Sequence, residues 1–436
     1  MSKKQAVKEI SLLLISSLLG AGCVFLTQVI LARQLGPSDF GLFAAALAMI
    51  TLLAPLAGFG IAGYWLKAFG QEGWHATRWL PGSFKFTTLS TLIVVLLLVG
   101  WAILGPHDAL TTTVLLVLTF YVFGQLVVEL VSGKLQLEQQ YLHLALWQFL
   151  PHLARLFLIV VLAYATTLIL NVEIVAYAYA VVALVIFIVG FVLLLRMYQG
   201  KFFLKGHSAA EGLEKQNKQD SPGMFQVAVQ SWPFGLAGIF YLIYFQSDII
   251  FLKYISGSET AGVYNVAFLV MAVVYLLPNV VYQKFMLPKL HRWAHHDRER
   301  FYHTYRVGNV IMVALGIVAM LGIWVVVPWA IPVLFGAEYQ GAILLLTILS
   351  FAAPIRFLAT SVGATLVTQD HMQRKVKYMG AVATLNIILN LALIPAFGAV
   401  GAAVATVSSE LALLIIYIVS VKANVFKYAE MMASGR

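Results

Sequence analysis

Long apolar runs constrain this chain more than any other feature of its sequence. Of its 436 residues, 61% are hydrophobic and 11% are charged, whereas a soluble domain carries roughly 25% charged residues. An apolar run of about 20 residues is long enough to cross a bilayer as a helix, while a transmembrane barrel shows short alternating segments instead. The sequence therefore predicts an all-α polytopic membrane protein. The 12 predicted spans are 8–32, 40–66, 84–105, 110–133, 142–170, 172–195, 225–252, 260–288, 304–330, 339–367, 376–396 and 399–421.

The distribution of Lys and Arg sets the orientation of these spans. With the N-terminus placed in the cytoplasm, 24 of the 28 Lys and Arg residues fall in cytoplasmic segments. Arg33 and Lys253 fall on the outer side, and Arg155 and Arg356 lie within spans. This positive-inside bias predicts an even number of spans with both termini cytoplasmic. Because the basic residues are spread over loops between apolar runs, we expect no nucleic-acid partner.

An internal repeat is visible in the sequence. QVILARQLGPSDFGLFAAA, which begins at Gln28, aligns with DIIFLKYISGSETAGVYNVA, which begins at Asp248. After one inserted residue, Gly41 aligns with Gly262. Two weaker matches follow in the same order, 52–60 with 275–283 and 132–140 with 362–370. Three matches in order indicate duplication, and six spans per repeat would relate the halves by a pseudo-two-fold axis along the membrane normal.

The longest hydrophilic stretch separates six spans from six and is typical of a flexible cytoplasmic linker. The predicted domains are an N-terminal six-helix bundle at 1–197, a linker at 198–223, a C-terminal six-helix bundle at 224–423 and a cytoplasmic tail at 424–436.

Charged side chains inside the spans mark the candidate functional residues, because a charge in hydrocarbon is costly and normally faces a cavity or a partner. Arg155 and Arg356, one in each half, are candidates for binding an anionic substrate, with Arg33 and Lys253 at the outer interface as further cations. The alternative for the two buried arginines is an internal ion pair, for example Arg155 with Glu129. The alternative for Arg33 and Lys253 is interfacial anchoring.

Other polar residues recur at helical spacing and predict stripes that line a polar interior. Our candidates for a coupling-ion site or for the lining of a polar cavity are Glu129, Asp248, Glu410, Gln28, Gln125, His152, Asn386 and Asn390. Packing polarity is the alternative for the acids. The sequence shows no paired metal-ligand spacing, no phosphate-binding loop and no nucleophile motif, so we expect no metal site, no ATP site and no catalytic residue.

Three segments resemble polysaccharide (Wzx-type) flippases of the multidrug/oligosaccharidyl-lipid/polysaccharide exporter superfamily. ARQLGPSDFGLFA (32–44) resembles the family's A-R-x-L-G-x-x-x-[FY]-G signature after the first helix. SDIIFLKYISGSETAGVYNVA (247–267) resembles its seventh-helix pattern, and IPAFGAVGAAVAT (394–406) resembles the turn before its last helix.

The resemblance implies two six-helix bundles that operate by alternating access. It implies a multi-pass protein of the cytoplasmic (inner) membrane that moves undecaprenyl-diphosphate-linked oligosaccharide from the inner to the outer leaflet for O-antigen, exopolysaccharide or another surface polysaccharide. Arg155 and Arg356 would then hold diphosphate oxygens through charge-assisted bonds. We expect a monomer whose partners are the lipid-linked substrate, membrane lipids and candidate polysaccharide polymerase and chain-length machinery. No cofactor is expected beyond a coupling ion, proton or sodium.

Two other functions stay open. An ion-coupled multidrug or cation exporter on the same fold would want an acidic cavity, which Arg155 and Arg356 argue against. A polytopic glycan polymerase or ligase would need large external loops, whereas the predicted outer connections are short. We therefore expect a transporter and not an enzyme.

Overall fold

The computed structural model describes residues 3–165, 169–204, 221–279, 297–367 and 372–426, together with 282, 286, 290 and 293. Every regular element in these ranges is a helix or a helical turn. Eight stretches are long and apolar enough to cross a membrane. Ser11–Leu104 overlaps three of the predicted spans, and Arg374–Val421 contains two. The all-α polytopic class predicted from the apolar runs is confirmed.

The chain forms two compact units whose limits fall inside long helices. The first unit comprises Met1–Leu35 and Ala45–Leu242, and the second comprises Gly36–Ala44 and Ile243–Arg436. The division into bundles at 198–223 stays a prediction, because residues 205–220 of that linker lie outside the described ranges, as does most of the tail.

The helices of the N-terminal part run from α1 to α7. They are α1 (Lys3–Gly58), α2 (Ile61–Glu72), α3 (Leu80–Leu104), α4 (Ala109–Leu118), α5 (Tyr121–Leu137), α6 (Tyr141–Val160) and α7 (Val172–Tyr198), with a 3₁₀ segment at Gly73–Trp79 and a π-helical turn at Val161–Ala165.

The helices of the C-terminal part run from α8 to α13. They are α8 (Met224–Ser256), α9 (Ser258–Asn279), α10 (Arg298–Leu334), α11 (Gly341–Ser350), α12 (Ala352–Val367) and α13 (Met372–Val421), with a 3₁₀ turn at Ala337–Tyr339 and a π-helical turn at Lys422–Phe426. The predicted span 225–252 corresponds to α8.

Left-handed glycines break the helices at three points, two of which match in the repeat. Gly36, with φ of 71° and ψ of 171°, divides α1 between the first two predicted spans. Gly257, with φ of 95°, separates α8 from α9. Gly398, with φ of 55°, divides α13 between the last two spans. Glycine accepts such positive φ values without the steric cost of a Cβ, which explains why these three positions hold glycine.

Two glycines that the repeat alignment pairs also contact each other. A Cβ on Gly41 would overlap the carbonyl oxygen of Ser258 and lie 2.5 Å from the backbone nitrogen of Gly262. A Cβ on Gly262 would in turn overlap the carbonyl oxygen of Pro37. The second segment of α1 and the start of α9 therefore meet backbone to backbone, and neither side can accept a larger residue.

Close glycine contacts also join α5 to α7, the two helices that carry part of the candidate site. A Cβ on Gly124 would lie 2.9 Å from Cα of Ala183, and a Cβ on Gly190 would lie 2.8 Å from Cβ of Val127. These contacts fix the rotation of α5, and hence which of its faces points to the interior.

We expect Gly41→Ala to destabilise the protein although alanine is the better helix former. The overlap with backbone atoms costs about 1–3 kcal/mol or more, which outweighs a propensity gain of about 1 kcal/mol. Gly22→Ala is the matched control, because a Cβ there meets nothing within 4 Å and only the propensity gain remains. Thermal unfolding of the purified protein in detergent measures both. A Gly41→Ala protein as stable as Gly22→Ala would contradict the close contact.

Candidate functional site

Arg155 projects from α6 between two tyrosine rings of the first unit. Its guanidinium nitrogen Nη1 donates to the hydroxyl of Tyr121 at 3.1 Å. Its Cζ lies 5.0 Å from the centre of the Tyr121 ring and 5.5 Å from that of Tyr179. In the part of the chain that the structure describes, no carboxylate forms an ion pair with Arg155. The rings therefore hold a half-buried cation through cation–π attraction without neutralising its charge.

The predicted polar stripe of α5 begins beside Arg155, which projects from α6. Gln125 donates its Nε2 to the same Tyr121 hydroxyl, and further along the helix Gln148 of α6 donates to Ser132 at 3.4 Å. Glu129 is exposed on the stripe and, among the described side chains, forms no ion pair with Arg155. Glu129 lies eight residues from Tyr121, about 12 Å along the axis of α5, and Tyr121 contacts Arg155. The carboxylate of Glu129 and the guanidinium of Arg155 therefore lie at different depths.

Two other predicted residues of the first unit carry polar atoms that find no partner. Nδ1 of His152 and Oε1 of Gln28 are buried and accept or donate no hydrogen bond within the described chain. The His152 ring lies beside Gly20, where a Cβ would come within 3.3 Å of its Cδ2.

In the second unit, Asp248 of α8 is the centre of a buried hydrogen-bond network. Asp248 is only 2% exposed. Its Oδ2 accepts a hydrogen bond from the hydroxyl of Tyr264 at 2.6 Å and another from the hydroxyl of Thr406. Oδ1 accepts from Nδ2 of Asn390 at 2.6 Å. Asn390 also donates to Oδ1 of Asn386 at 3.0 Å, which in addition accepts from Ser247. The network thus ties α8 and α9 to both segments of α13.

The oxygens of this network fit a small hard cation or a proton. The carboxylate accepts hydrogen bonds from two hydroxyls and one amide nitrogen, and carboxylate, hydroxyl and amide oxygens are the ligand types that hard cations prefer. Oδ1 of Asn390 is buried and has no hydrogen-bond partner in the described chain, so it is available as a further oxygen ligand. Among the described residues, no three His, Cys, Asp or Glu side chains come together as a multivalent metal site would require.

Arg356 of α12 is neutralised, unlike Arg155. Its Nη1 lies 3.1 Å from Oε1 of Glu410, and the two side chains are 13% and 0% exposed. Its Cζ also lies 5.1 Å from the ring centre of Phe245 and 5.8 Å from that of Tyr275. The ion-pair alternative is therefore formed at Arg356 with Glu410, and not at Arg155 with Glu129.

The two outer cations flank the left-handed glycines of the repeat. Arg33 is exposed three residues before Gly36. Lys253 is half-buried four residues before Gly257, with Nζ 4.9 Å from the ring centre of Tyr254. The positions of Arg33 and Lys253 agree with interfacial anchoring. A role for these two residues in substrate binding stays a prediction.

Sequence reasoning missed the aromatic partners of the arginines. Tyr121 precedes Gln125 by one helical turn, so the stripe pattern could have been extended to it. Tyr179, Phe245 and Tyr275 lie on other helices and carry no such signal, because their role depends on which helix faces them.

Comparison with known proteins identifies the family. Residues 6–293 match the family described as polysaccharide biosynthesis protein. Two relatives from Haloferax volcanii are similar over most of the chain. The probable low-salt glycan biosynthesis flippase Agl15 is 25% identical over 406 residues, which cover 91% of this chain and 79% of Agl15. The probable flippase AglR is 25% identical over 391 residues, which cover 86% of this chain and 75% of AglR.

Solved structures share the fold. The lipid II flippase MurJ in an inward closed conformation superimposes with a TM-score of 0.72 at 14% identity, over 94% of this chain and 87% of that chain. An inward-facing multidrug resistance transporter of the MATE family superimposes with a TM-score of 0.70 at 13% identity, over 94% and 96% of the two chains. Both have the exporter fold with two pseudo-symmetric bundles, which confirms the predicted fold class.

The named relatives are flippases, in agreement with the expectation that the chain is not an enzyme. Because the family match extends over well over half of the chain, the resemblance predicted from ARQLGPSDFGLFA is confirmed. The chain belongs to the polysaccharide biosynthesis protein family.

Proposed function

We propose that this chain is a flippase that moves oligosaccharide linked to undecaprenyl diphosphate from the inner to the outer leaflet of the cytoplasmic membrane. The observation that carries the proposal is Arg155, which lies inside a membrane-spanning unit and forms no ion pair with any carboxylate that the structure describes. A cation in hydrocarbon is retained when it serves a ligand or a pathway, and a diphosphate is the anionic part of such a substrate. Two relatives named as flippases, one of them in glycan biosynthesis, support this assignment.

Arg155 is arranged to grip a phosphate group. One N–H of its guanidinium bonds Tyr121, while the planar fork of five donors suits phosphate oxygens through charge-assisted, bidentate bonds. The flanking rings of Tyr121 and Tyr179 limit the rotation of the guanidinium plane of Arg155. Less side-chain entropy is therefore lost when a ligand binds. Arg356 has its charge cancelled by Glu410, so we give it the structural role of holding α12 against α13.

Transport by alternating access requires a ligand that binds the two conformations unequally. Structures on this fold are described in inward-facing and outward-facing conformations, which supports the same cycle here. We place both termini in the cytoplasm from the positive-inside bias. Membrane lipids, a polysaccharide polymerase and chain-length machinery remain proposed partners of a monomer.

A proton or sodium ion at Asp248 is our proposal for the coupling ion. Such an ion would compete with the hydroxyls of Tyr264 and Thr406 and the amide of Asn390 for the carboxylate oxygens. Because these donors come from α9 and α13, the competition would change how tightly those helices are tied to α8. The multidrug exporter alternative would also use an ion, but it has no use for the cation at Arg155.

We expect Arg155→Ala to lower translocation of lipid-linked oligosaccharide by at least about 100-fold, because two charge-assisted bonds are worth about 1.5–3 kcal/mol each. Arg155→Lys keeps the charge without the fork and should retain part of the activity. The assay is leaflet-specific protection of the glycan in proteoliposomes. Arg306→Ala, which removes an exposed arginine of α10, is the matched control. Full translocation by Arg155→Ala would refute the proposed role of this residue.

Replacing Asp248 with asparagine should flatten the dependence of translocation on sodium or pH, because the amide neither titrates nor attracts a cation. The slope of initial rate against ion gradient in proteoliposomes measures this. Asp297→Asn removes an exposed carboxylate that caps α10 and should leave the slope unchanged. Glu129→Gln tests the other candidate in the same assay. A normal slope in Asp248→Asn would return this residue to a packing role.

The ion pair of Arg356 predicts a difference in stability. Glu410→Gln removes the carboxylate that neutralises Arg356, and removing one partner of a buried ion pair costs about 3–5 kcal/mol. Glu72→Gln breaks the pair with Arg78, whose side chains are 32% and 29% exposed, and should cost less than about 1 kcal/mol. Thermal unfolding in detergent compares the two. Equal losses would show that the buried pair does not hold the unit together.

A further inference from the structure

The polar stripes of α5 and α6 continue from Arg155 toward the cytoplasmic ends of both helices. Gln148 precedes Arg155 by seven residues on α6, so the two side chains share a face and lie about 10 Å apart along the axis. On α5, Gln125 and Glu129 follow Tyr121 at intervals of four residues and share a face in the same way. On the positive-inside orientation, α5 ends and α6 begins at the cytoplasm, so both stripes run inward from Arg155.

Contacts between α5 and α6 place the two stripes side by side. Arg155 donates to Tyr121 at 3.1 Å, and nearer the cytoplasm Gln148 donates to Ser132 at 3.4 Å. The two helices are therefore antiparallel, and Glu129, which lies about one turn before Ser132, is near the level of Gln148. A carboxylate and an amide thus stand together about 10 Å on the cytoplasmic side of Arg155.

Side chains of these stripes keep polar atoms available for a ligand. Glu129 is exposed, and no ion pair to it is formed within the described ranges. Gln125 and Gln148 are half-buried, and Nδ1 of His152, between Gln148 and Arg155 on α6, finds no partner in the described chain. A carboxylate against lipid would be costly, so these four residues, which we call the polar row, face water.

The polar surface of these helices ends at Arg155 on the outer side. Residues 156–163 of α6 and 114–118 of α4, which leads into α5, are all apolar. On these helices, a group attached to a phosphate at Arg155 therefore finds polar contacts only toward the cytoplasm, along the polar row. The row contains one carboxylate, two amides and one imidazole but no cation, so it suits an uncharged partner that carries hydroxyl groups.

We propose that the polar row binds the sugar linked to the diphosphate, and that Glu129 selects a sugar without a negative charge. The proposal rests on the proposed function, in which Arg155 holds the diphosphate. Sugar hydroxyls donate to carboxylate oxygens, and they both donate to and accept from the amides of Gln125 and Gln148. A uronic acid would place a second carboxylate against Glu129, and such like-charge contacts are unfavourable.

A matched pair of ligands tests this selectivity by equilibrium binding, without requiring transport. Undecaprenyl diphosphate–glucose and undecaprenyl diphosphate–glucuronate differ only at C6 of the sugar, which carries a hydroxyl in one and forms a carboxylate in the other. At a pH where the carboxylates are ionised, we expect the purified full-length protein in detergent to bind the glucose ligand at least about tenfold more tightly. Equal affinity, or a preference for glucuronate, would overturn the proposal.

Variants test whether Glu129 causes the selectivity. Glu129→Gln removes the charge and keeps the shape, so the preference for glucose over glucuronate should largely disappear. Glu173→Gln removes a half-buried carboxylate in the first turn of α7 and, as the matched control, should keep the preference. If Glu129→Gln keeps the preference but loses the response of transport to an ion gradient, Glu129 binds a coupling ion and the proposal is overturned.

The amide of Gln148 separates the sugar contacts from the diphosphate contacts. Gln148→Ala should weaken binding of undecaprenyl diphosphate–glucose roughly three- to tenfold, the worth of one hydrogen bond, and leave binding of undecaprenyl diphosphate unchanged. Gln140→Ala, in the exposed turn before α6, should change neither. Equal weakening of both ligands by Gln148→Ala would overturn the proposal. If the wild type binds undecaprenyl diphosphate no better than undecaprenol, the proposed function fails, while a preference for glucose that Glu129→Gln abolishes still stands.

Discussion

The cost of placing a charge in hydrocarbon is the constraint on which the rest of this structure depends. Ionised groups inside spans must be paired, hydrogen-bonded or kept for a ligand. The second unit meets this constraint internally, since Glu410 neutralises Arg356 and three donors surround Asp248. The first unit leaves Arg155 with two aromatic rings and one hydroxyl. The difference supports our proposal that one unit binds the coupling ion and the other recognises an anion.

Duplication preserved the backbone more strictly than the polar chemistry. Gly36 and Gly257 share a left-handed conformation, and Gly41 meets Gly262, because sterics allow no other residue there. At the polar positions the halves diverge. Gln28 in the first half corresponds to Asp248 in the second. In the last helix of each half, Tyr179 lies beside Arg155 and Glu410 lies beside Arg356. A duplicated fold can keep the same turns in both copies while the charged and polar side chains of the two copies differ.

The sequence was sufficient for the all-helical membrane class and for the short list of charges inside the apolar runs, because hydropathy is a local property. It could not decide which arginine is paired. Arg356 and Glu410 are 54 residues apart, and their meeting depends on the rotation and depth of two helices that periodicity fixes only to within a turn. For the same reason the pattern named Asn386, Asn390 and Asp248 separately, and only the fold shows that they form one network.

We propose above that Arg155 recognises the phosphate end of a lipid. A thermodynamic cycle that varies both the ligand and this residue tests the proposal most directly. Binding of undecaprenyl diphosphate and of undecaprenol to purified wild-type protein and to Arg155→Gln gives the four free energies. We expect removal of the diphosphate to cost the wild type much more than the variant, with a coupling of at least about 1.4 kcal/mol, a tenfold difference in Kd. A coupling near zero, with both proteins preferring the diphosphate equally, would contradict the account.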